Sequence, residues 1–242
     1  MAPLKKFYEQ VSVAEGKAGF EVRLDGKPVL TPKKAVLAVP AKILAGAIAE
    51  EWMEQEETVD PETLPLTRLA NTALDVTAAE REKVEGELAA FARHDLLCYR
   101  AEAPADLAEK EMKMWDSYLG WARETFGIAL ATTAGITPLE QDAKAITALE
   151  ALLSRQSPFM LTALHNATTL LGSVILALAL AEGFRKPDDI WRAAHVDEDY
   201  QTAKWGKDAD AEKVRAARHD LFTAVTRFMA ALAEPPSSGK RA

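Results

Sequence analysis

Between residues 156 and 181 the chain carries no formally charged side chain, counting His165 as neutral. An uncharged run of that length either crosses a bilayer or lies at the centre of a folded core. The first half of the run decides between them. Gln156, Ser157, Pro158, Thr162, His165, Asn166, Thr168 and Thr169 crowd it, and only VILALALA, residues 174–181, is continuously apolar. Those intrusions argue against membrane insertion. The run instead predicts one helix over 158–181, apolar all round, as the centre of a helical bundle.

The first forty residues follow a different period. Phe20, Val22 and Leu24 alternate with Glu21 and Arg23, the two-residue repeat of a strand. Asp25 and Gly26 then supply a hairpin turn, because glycine tolerates the positive φ such a turn needs. A small antiparallel sheet is predicted. It ends at Pro40, and a helix over 41–55 follows with Ile43, Leu44, Ala47, Ile48 and Trp52 on one stripe. A lone small sheet cannot bury itself, so this helix is expected to cover it.

EQEETVDPET, residues 54–63, is acidic and contains proline, and marks the expected boundary between domains. Beyond it the strand signal fades. Val84, Leu88 and Phe91 mark one helix; Leu107, Trp115, Leu119 and Phe126 lie on a second. Thr137, Pro138 and Glu140 spell a capping box that predicts a third helix starting there. Further helices are expected over 158–181, 187–205 and 208–232. The reading is an α+β chain: a sheet-containing domain over 1–60, a helical domain over 61–234 and a flexible tail over 235–242.

Composition excludes several functions. The 242 residues are 48% hydrophobic and 27% charged, a globular balance. The net charge of -8 argues against nucleic acid, which requires a basic footprint. One cysteine, Cys98, permits no internal disulfide; with no apolar signal core at the N-terminus, a cytoplasmic protein is expected. Cys98 sits among Leu96, Leu97 and Tyr99, the setting of a buried thiol rather than a nucleophile. No glycine-rich phosphate loop, nucleophile elbow or zinc motif occurs, and no cofactor is expected.

Two polar clusters stand out. HVDEDYQTAKWG, residues 195–206, places Asp197, Glu198 and Asp199 in a row. Helical neighbours point about 100° apart, so these carboxylates fan outward and do not converge on one ion. Trp191, His195, Glu198, Thr202 and Trp205 fall within roughly 80° of one another on a helix. This sets Glu198 on a stripe ended by two tryptophans, either paired internally or presented to a partner. A metal-dependent enzyme using His195 and Glu198 is the competing reading, though two ligands are too few to define a site. The second cluster is Arg68, Asn71 and Asp75 within LPLTRLANTALD, on one helical face and suited to ordering the joint between sheet and helices.

Four segments together, LDGKPVLTPKKAVLAVP, LPLTRLANTALD, DLLCYRAEAP and VDEDYQTAKWGKDADAEKVR, resemble the assembly-chaperone family of the F-type ATP synthase. The resemblance runs from about Phe7 to Phe228. The missing presequence and the alanine richness resemble a bacterial, alphaproteobacterial-type member. Leu30 and Leu64 depart from the family pattern, which has a basic residue and a methionine there.

The resemblance implies a small sheet-containing N-terminal domain and a larger orthogonal helical domain. It implies a non-enzymatic chaperone that binds the unassembled alpha subunit of the catalytic sector and prevents its aggregation until beta subunits replace it; nothing in the sequence forces an oligomer, and a monomer is expected. It matches Glu198 to the family's acidic position in client handling. Trp191, His195, Trp205 and Asp197 complete the expected client-binding set.

Overall fold

The structure, a computed structural model, describes residues 4–233; the tail expected over 235–242 lies outside them. The chain divides into two units. The first holds the described residues up to Glu80, Pro158–Ala163 and the described residues from Thr223 onward. The second holds Arg81–Ser157 and Leu164–Phe222.

In the first unit, β1 (Leu4–Lys5) precedes an antiparallel hairpin of β2 (Val11–Gly16) and β3 (Gly19–Leu24). β4 (Lys27–Pro28) and β5 (Ala38–Val39) both pair with β3. Asp25 and Gly26 both have positive φ, 47° and 79°, and make the tight turn between β3 and β4. Strand alternation buries Val22 and Leu24 while Glu21 and Arg23 pair with each other at 2.9 Å. α1 (Lys42–Met53) packs on β2 and β3 and buries Leu44, Ile48 and Trp52. The sheet and its covering helix are as expected; Ile43 is the exception, about half exposed.

The acidic connector does not end this unit. Within it β6 (Thr58–Val59) pairs with β1, so the connector closes back on the N-terminus. Next comes α2 (Pro65–Thr72), whose first turn is capped from α1. The Glu51 carboxylate accepts from the Leu66 N–H at 2.6 Å, and from the Thr67 N–H at 2.9 Å and hydroxyl at 2.8 Å. A π-helical turn, Ala73–Thr77, continues α2. Its Asp75 accepts from the Thr31 hydroxyl at 2.7 Å and the Lys33 N–H at 2.9 Å. These buried hydrogen bonds are why residues 61–80 group with the sheet, whereas the sequence places the boundary near residue 60.

The second unit is helical. It contains α3 (Arg81–Ala92), β7 (Tyr99–Arg100), α4 (Ala105–Phe126), β8 (Thr133–Ala134) and α5 (Ala143–Leu153). The helix expected from Thr137 starts later, at Ala143. The buried Gln141 side chain bonds both the N–H and the carbonyl of Ala131, which holds the preceding loop open; Asp142 is the true cap and accepts from the Lys144 N–H at 2.8 Å.

The uncharged run is two helices, α6 (Pro158–Leu171) and α7 (Val174–Ala181), where one was expected. Gly172 takes a left-handed φ of 66° and Ser173 caps α7 through the Leu176 N–H. Val174 through Leu180 are all buried, packed by α3, α4 and α8 (Pro187–Ala194). Among the described residues no helix is long and apolar enough to cross a membrane. The last helices are α9 (Val196–Trp205) and α10 (Ala209–Ala233).

Candidate functional site

The helix expected over 187–205 breaks at His195, whose φ of -119° and ψ of 24° leave the helical region. Its Nδ1 lies 2.8 Å from the Trp191 carbonyl oxygen; a carbonyl only accepts, so Nδ1 carries the proton. The His195 Nε2 is buried without a partner among the described residues. Burial depresses the His195 pKa, aided by Arg215 and Arg218 and opposed by the Trp191 bond and Glu198. Trp191 is itself core. Its ring lies 3.8 Å from that of His195 and packs on His219 and Phe222. The break therefore splits the predicted stripe: Trp191 and His195 turn inward, while Trp205 is 75% exposed.

From Val196 the helical spacing holds. Glu198, Thr202 and Trp205 line one side of a groove of about 570 Å³ between α9 and the start of α10. Gly206, at φ 89°, ends α9 and turns the chain. Asp208 then caps α10 by accepting from the Asp210 and Ala211 N–H groups at 2.9 and 2.8 Å.

The carboxylates around this groove have separate fates. Asp199 binds Arg215 at 2.6 Å, and Glu212 pairs with Lys207. Asp197 points away and accepts from the Gln201 amide at 3.0 Å. Glu198 is half exposed and lies 4.0 Å from Arg215 and 3.8 Å from Arg218, beyond hydrogen-bond reach of either. Arg218 is meanwhile anchored by donating to the Leu170 carbonyl at 2.7 Å. Two fixed cations thus flank a carboxylate that keeps its hydrogen-bonding capacity.

Below the groove Tyr200 is buried and donates to Asp106 at 2.7 Å, the chief reason the Asp106 pKa is lowered. Lys204 lies 4.4 Å over the Tyr200 ring and 3.6 Å from Asp106. These bonds lock α9 against α4.

The metal-enzyme reading finds no footing here. His195 spends Nδ1 on a backbone carbonyl, and Glu198 faces two arginines. Among the described residues no group of three or more His, Cys, Asp or Glu could hold a metal ion. Cys98 is fully buried, its thiol pushed up to about 12, first by burial and then by Asp95.

The second cluster does not form one face. Arg68 is exposed, Asn71 is half-buried with its Oδ1 unpartnered among the described residues, and Asp75 is buried. Of the three, Asp75 makes the joint, and both ends of that joint belong to the first unit.

Sequence reasoning missed Glu212, Lys207 and Arg215 as components of the groove, and Arg218 as the neighbour of Glu198. Arg215 and Arg218 follow at spacings that place them beside one another on α10, but only the return at Gly206 brings them to Glu198.

The ATP12 chaperone protein family model matches residues 5–123. The mitochondrial protein atp12 of Schizosaccharomyces pombe is 25% identical over 227 residues, covering 87% of this chain and 76% of that protein. Atp12 from Paracoccus denitrificans is 36% identical with a TM-score of 0.90, covering 94% of this chain and 98% of the other. A protein from Agrobacterium tumefaciens is 39% identical with a TM-score of 0.90, covering 94% and 86% respectively.

Proposed function

The chain belongs to the ATP12 chaperone family of F1 ATP-synthase assembly, and from that premise we propose that it binds the unassembled alpha subunit through the α9–α10 groove. A free alpha subunit exposes surface that later packs against beta subunits, and such surface aggregates. A protein that covers it lowers the aggregating population by mass action and must yield to the beta subunit. A moderate, partly polar interface suits that exchange.

The observation that carries this reading is Trp205, exposed beside Glu198, which has no partner within hydrogen-bonding distance among the described residues. An exposed tryptophan supplies contact energy and an adjacent charge supplies orientation. Asp197, next to Glu198 on the exposed side of α9, adds to the field. Trp191 and His195 act from beneath, setting where α9 begins. The protein works as a monomer in the cytoplasm, by binding rather than catalysis and without a cofactor.

The test is aggregation of purified alpha subunit, followed by light scattering with and without this protein. Suppression by the wild-type chain, lost in Glu198→Lys with its fold intact by circular dichroism, is the expected result. Equal suppression by the variant removes the groove from the function. No suppression by either protein removes the alpha subunit as client.

A further inference from the structure

Trp205 differs from the chain's other tryptophans. Trp52 packs on Tyr8, Trp115 lies under Arg100, Trp121 stacks on Phe184, and Trp191 packs on His195. Trp205 has no such ring or cation contact among the described residues and is 75% exposed. Lys204, its neighbour, goes to Tyr200 instead. The groove beside it carries Glu198, Asp199, Asp208 and Glu212 against Lys207 and Arg215, an excess of negative charge. Three of those carboxylates are committed: Asp199 to Arg215, Glu212 to Lys207, Asp208 to the α10 cap. Glu198 alone has no partner within hydrogen-bonding distance among the described residues.

We infer that the groove takes a basic side chain, arginine or lysine, from a segment of the client, laid over the Trp205 ring and hydrogen-bonded to Glu198. This rests on the client-binding reading above and names the chemistry recognised.

Aromatic faces attract cations, and a charge-assisted bond to a carboxylate adds direction. Glu198 and Trp205 are seven residues apart on α9, two turns along the same side, so one long side chain reaches both. The committed pairs add a second layer. Arg215 and Arg218, held by Asp199 and the Leu170 carbonyl, lie 4.0 and 3.8 Å from the Glu198 carboxylate and leave its lone pairs unoccupied. An acidic client segment would find no uncommitted cation in the groove, since Lys207 and Arg215 are already paired with Glu212 and Asp199. Selection for a basic residue is thus built from what is paired as much as from what is not.

The test places the photo-crosslinking residue p-benzoylphenylalanine at position 205 in the full chain and irradiates it with purified alpha subunit. Mass spectrometry then locates the joined segment. An arginine or lysine within two residues of the crosslink is expected. Reversing that client residue to glutamate is expected to weaken binding about 10- to 100-fold, and Glu198→Lys in this protein to restore it to within about threefold.

A complex that forms without crosslinking at 205, or crosslinks to a segment lacking a basic residue, overturns the groove chemistry while leaving the alpha subunit as client. Failure of the charge exchange, with Trp205→Ala also binding at wild-type strength, does the same. Absence of any complex with the wild-type chain overturns the client assignment and this inference together.

Discussion

His195 donates its Nδ1–H to the Trp191 carbonyl at 2.8 Å while its buried Nε2 finds no partner among the described residues. The bond ties the ring to the end of α8 and fixes which nitrogen carries the proton, while burial disfavours the charged form. Protonating Nε2 would put a buried donor and a charge beside Arg215 and Arg218, with only Glu198 to oppose them.

Because the folded pKa of His195 lies below its ordinary 6.5, the unfolded chain binds the proton more readily. This contribution to stability is fully present above pH 6.5 and is lost as pH falls from there toward the folded pKa. His195→Phe removes the dependence. Urea denaturation between pH 7.5 and 5 is expected to show the wild type losing stability more steeply than the variant. Parallel curves would show that His195 does not titrate in this window.

Asp95 has the opposite sign. It is fully buried between the Leu97 N–H at 3.0 Å and the Ile175 N–H at 3.3 Å, and burial pushes its pKa from 3.8 up to about 6. Here the folded state holds the proton more tightly, so stability is greatest below pH 3.8 and falls as pH rises to about 6. The difference corresponds to roughly 3 kcal/mol. Asp95→Asn, which does not titrate, is expected to lie further below the wild type at pH 4 than at pH 7. Denaturant midpoints at the two pH values check this, and a gap independent of pH contradicts it.

Asp75 joins the loop after β4 to the π-helical turn through Thr31 and Lys33. Asp75→Ala leaves a buried hydroxyl and an N–H without acceptors, at a cost of about 2 to 4 kcal/mol. Lys33 also donates to the Asp75 carbonyl, so part of the link survives. Hydrogen exchange is expected to rise at the amides of Lys33 and Ala35, while amides of α4 and α7 keep their protection under native conditions. Unchanged exchange in the loop would show that the carboxylate does not hold it.

Local patterns made much of this molecule legible. Alternation in 19–24 and the Asp25 and Gly26 pair specified a strand and the turn that ends it, because both act on adjacent residues. The apolar stripe over 41–55 specified α1 and the face it buries. The absence of charge over 156–181 identified a buried helical stretch, whose second part, α7, lies at the centre of the helical unit, since burial of charge is costly wherever it occurs. Helical spacing also placed Glu198, Thr202 and Trp205 on one side of α9, which is how the groove is lined.

Tertiary structure decided the breaks and the partners. Gly172 and Ser173 end one apolar helix and start another because Asp95, far away in sequence, receives the first amides of α7. His195 interrupts a continuous helical pattern because its ring is drawn into the core against Trp191, which removes both from the surface stripe. Glu51 and Asp75 read as ordinary polar residues, yet each satisfies backbone groups on another element and so extends the sheet unit to residue 80. The freedom of Glu198 depends on Arg215 and Arg218 being held elsewhere, by Asp199 and the Leu170 carbonyl. Periodicity in sequence reports which side a residue faces; what waits on that side depends on segments that only folding brings together.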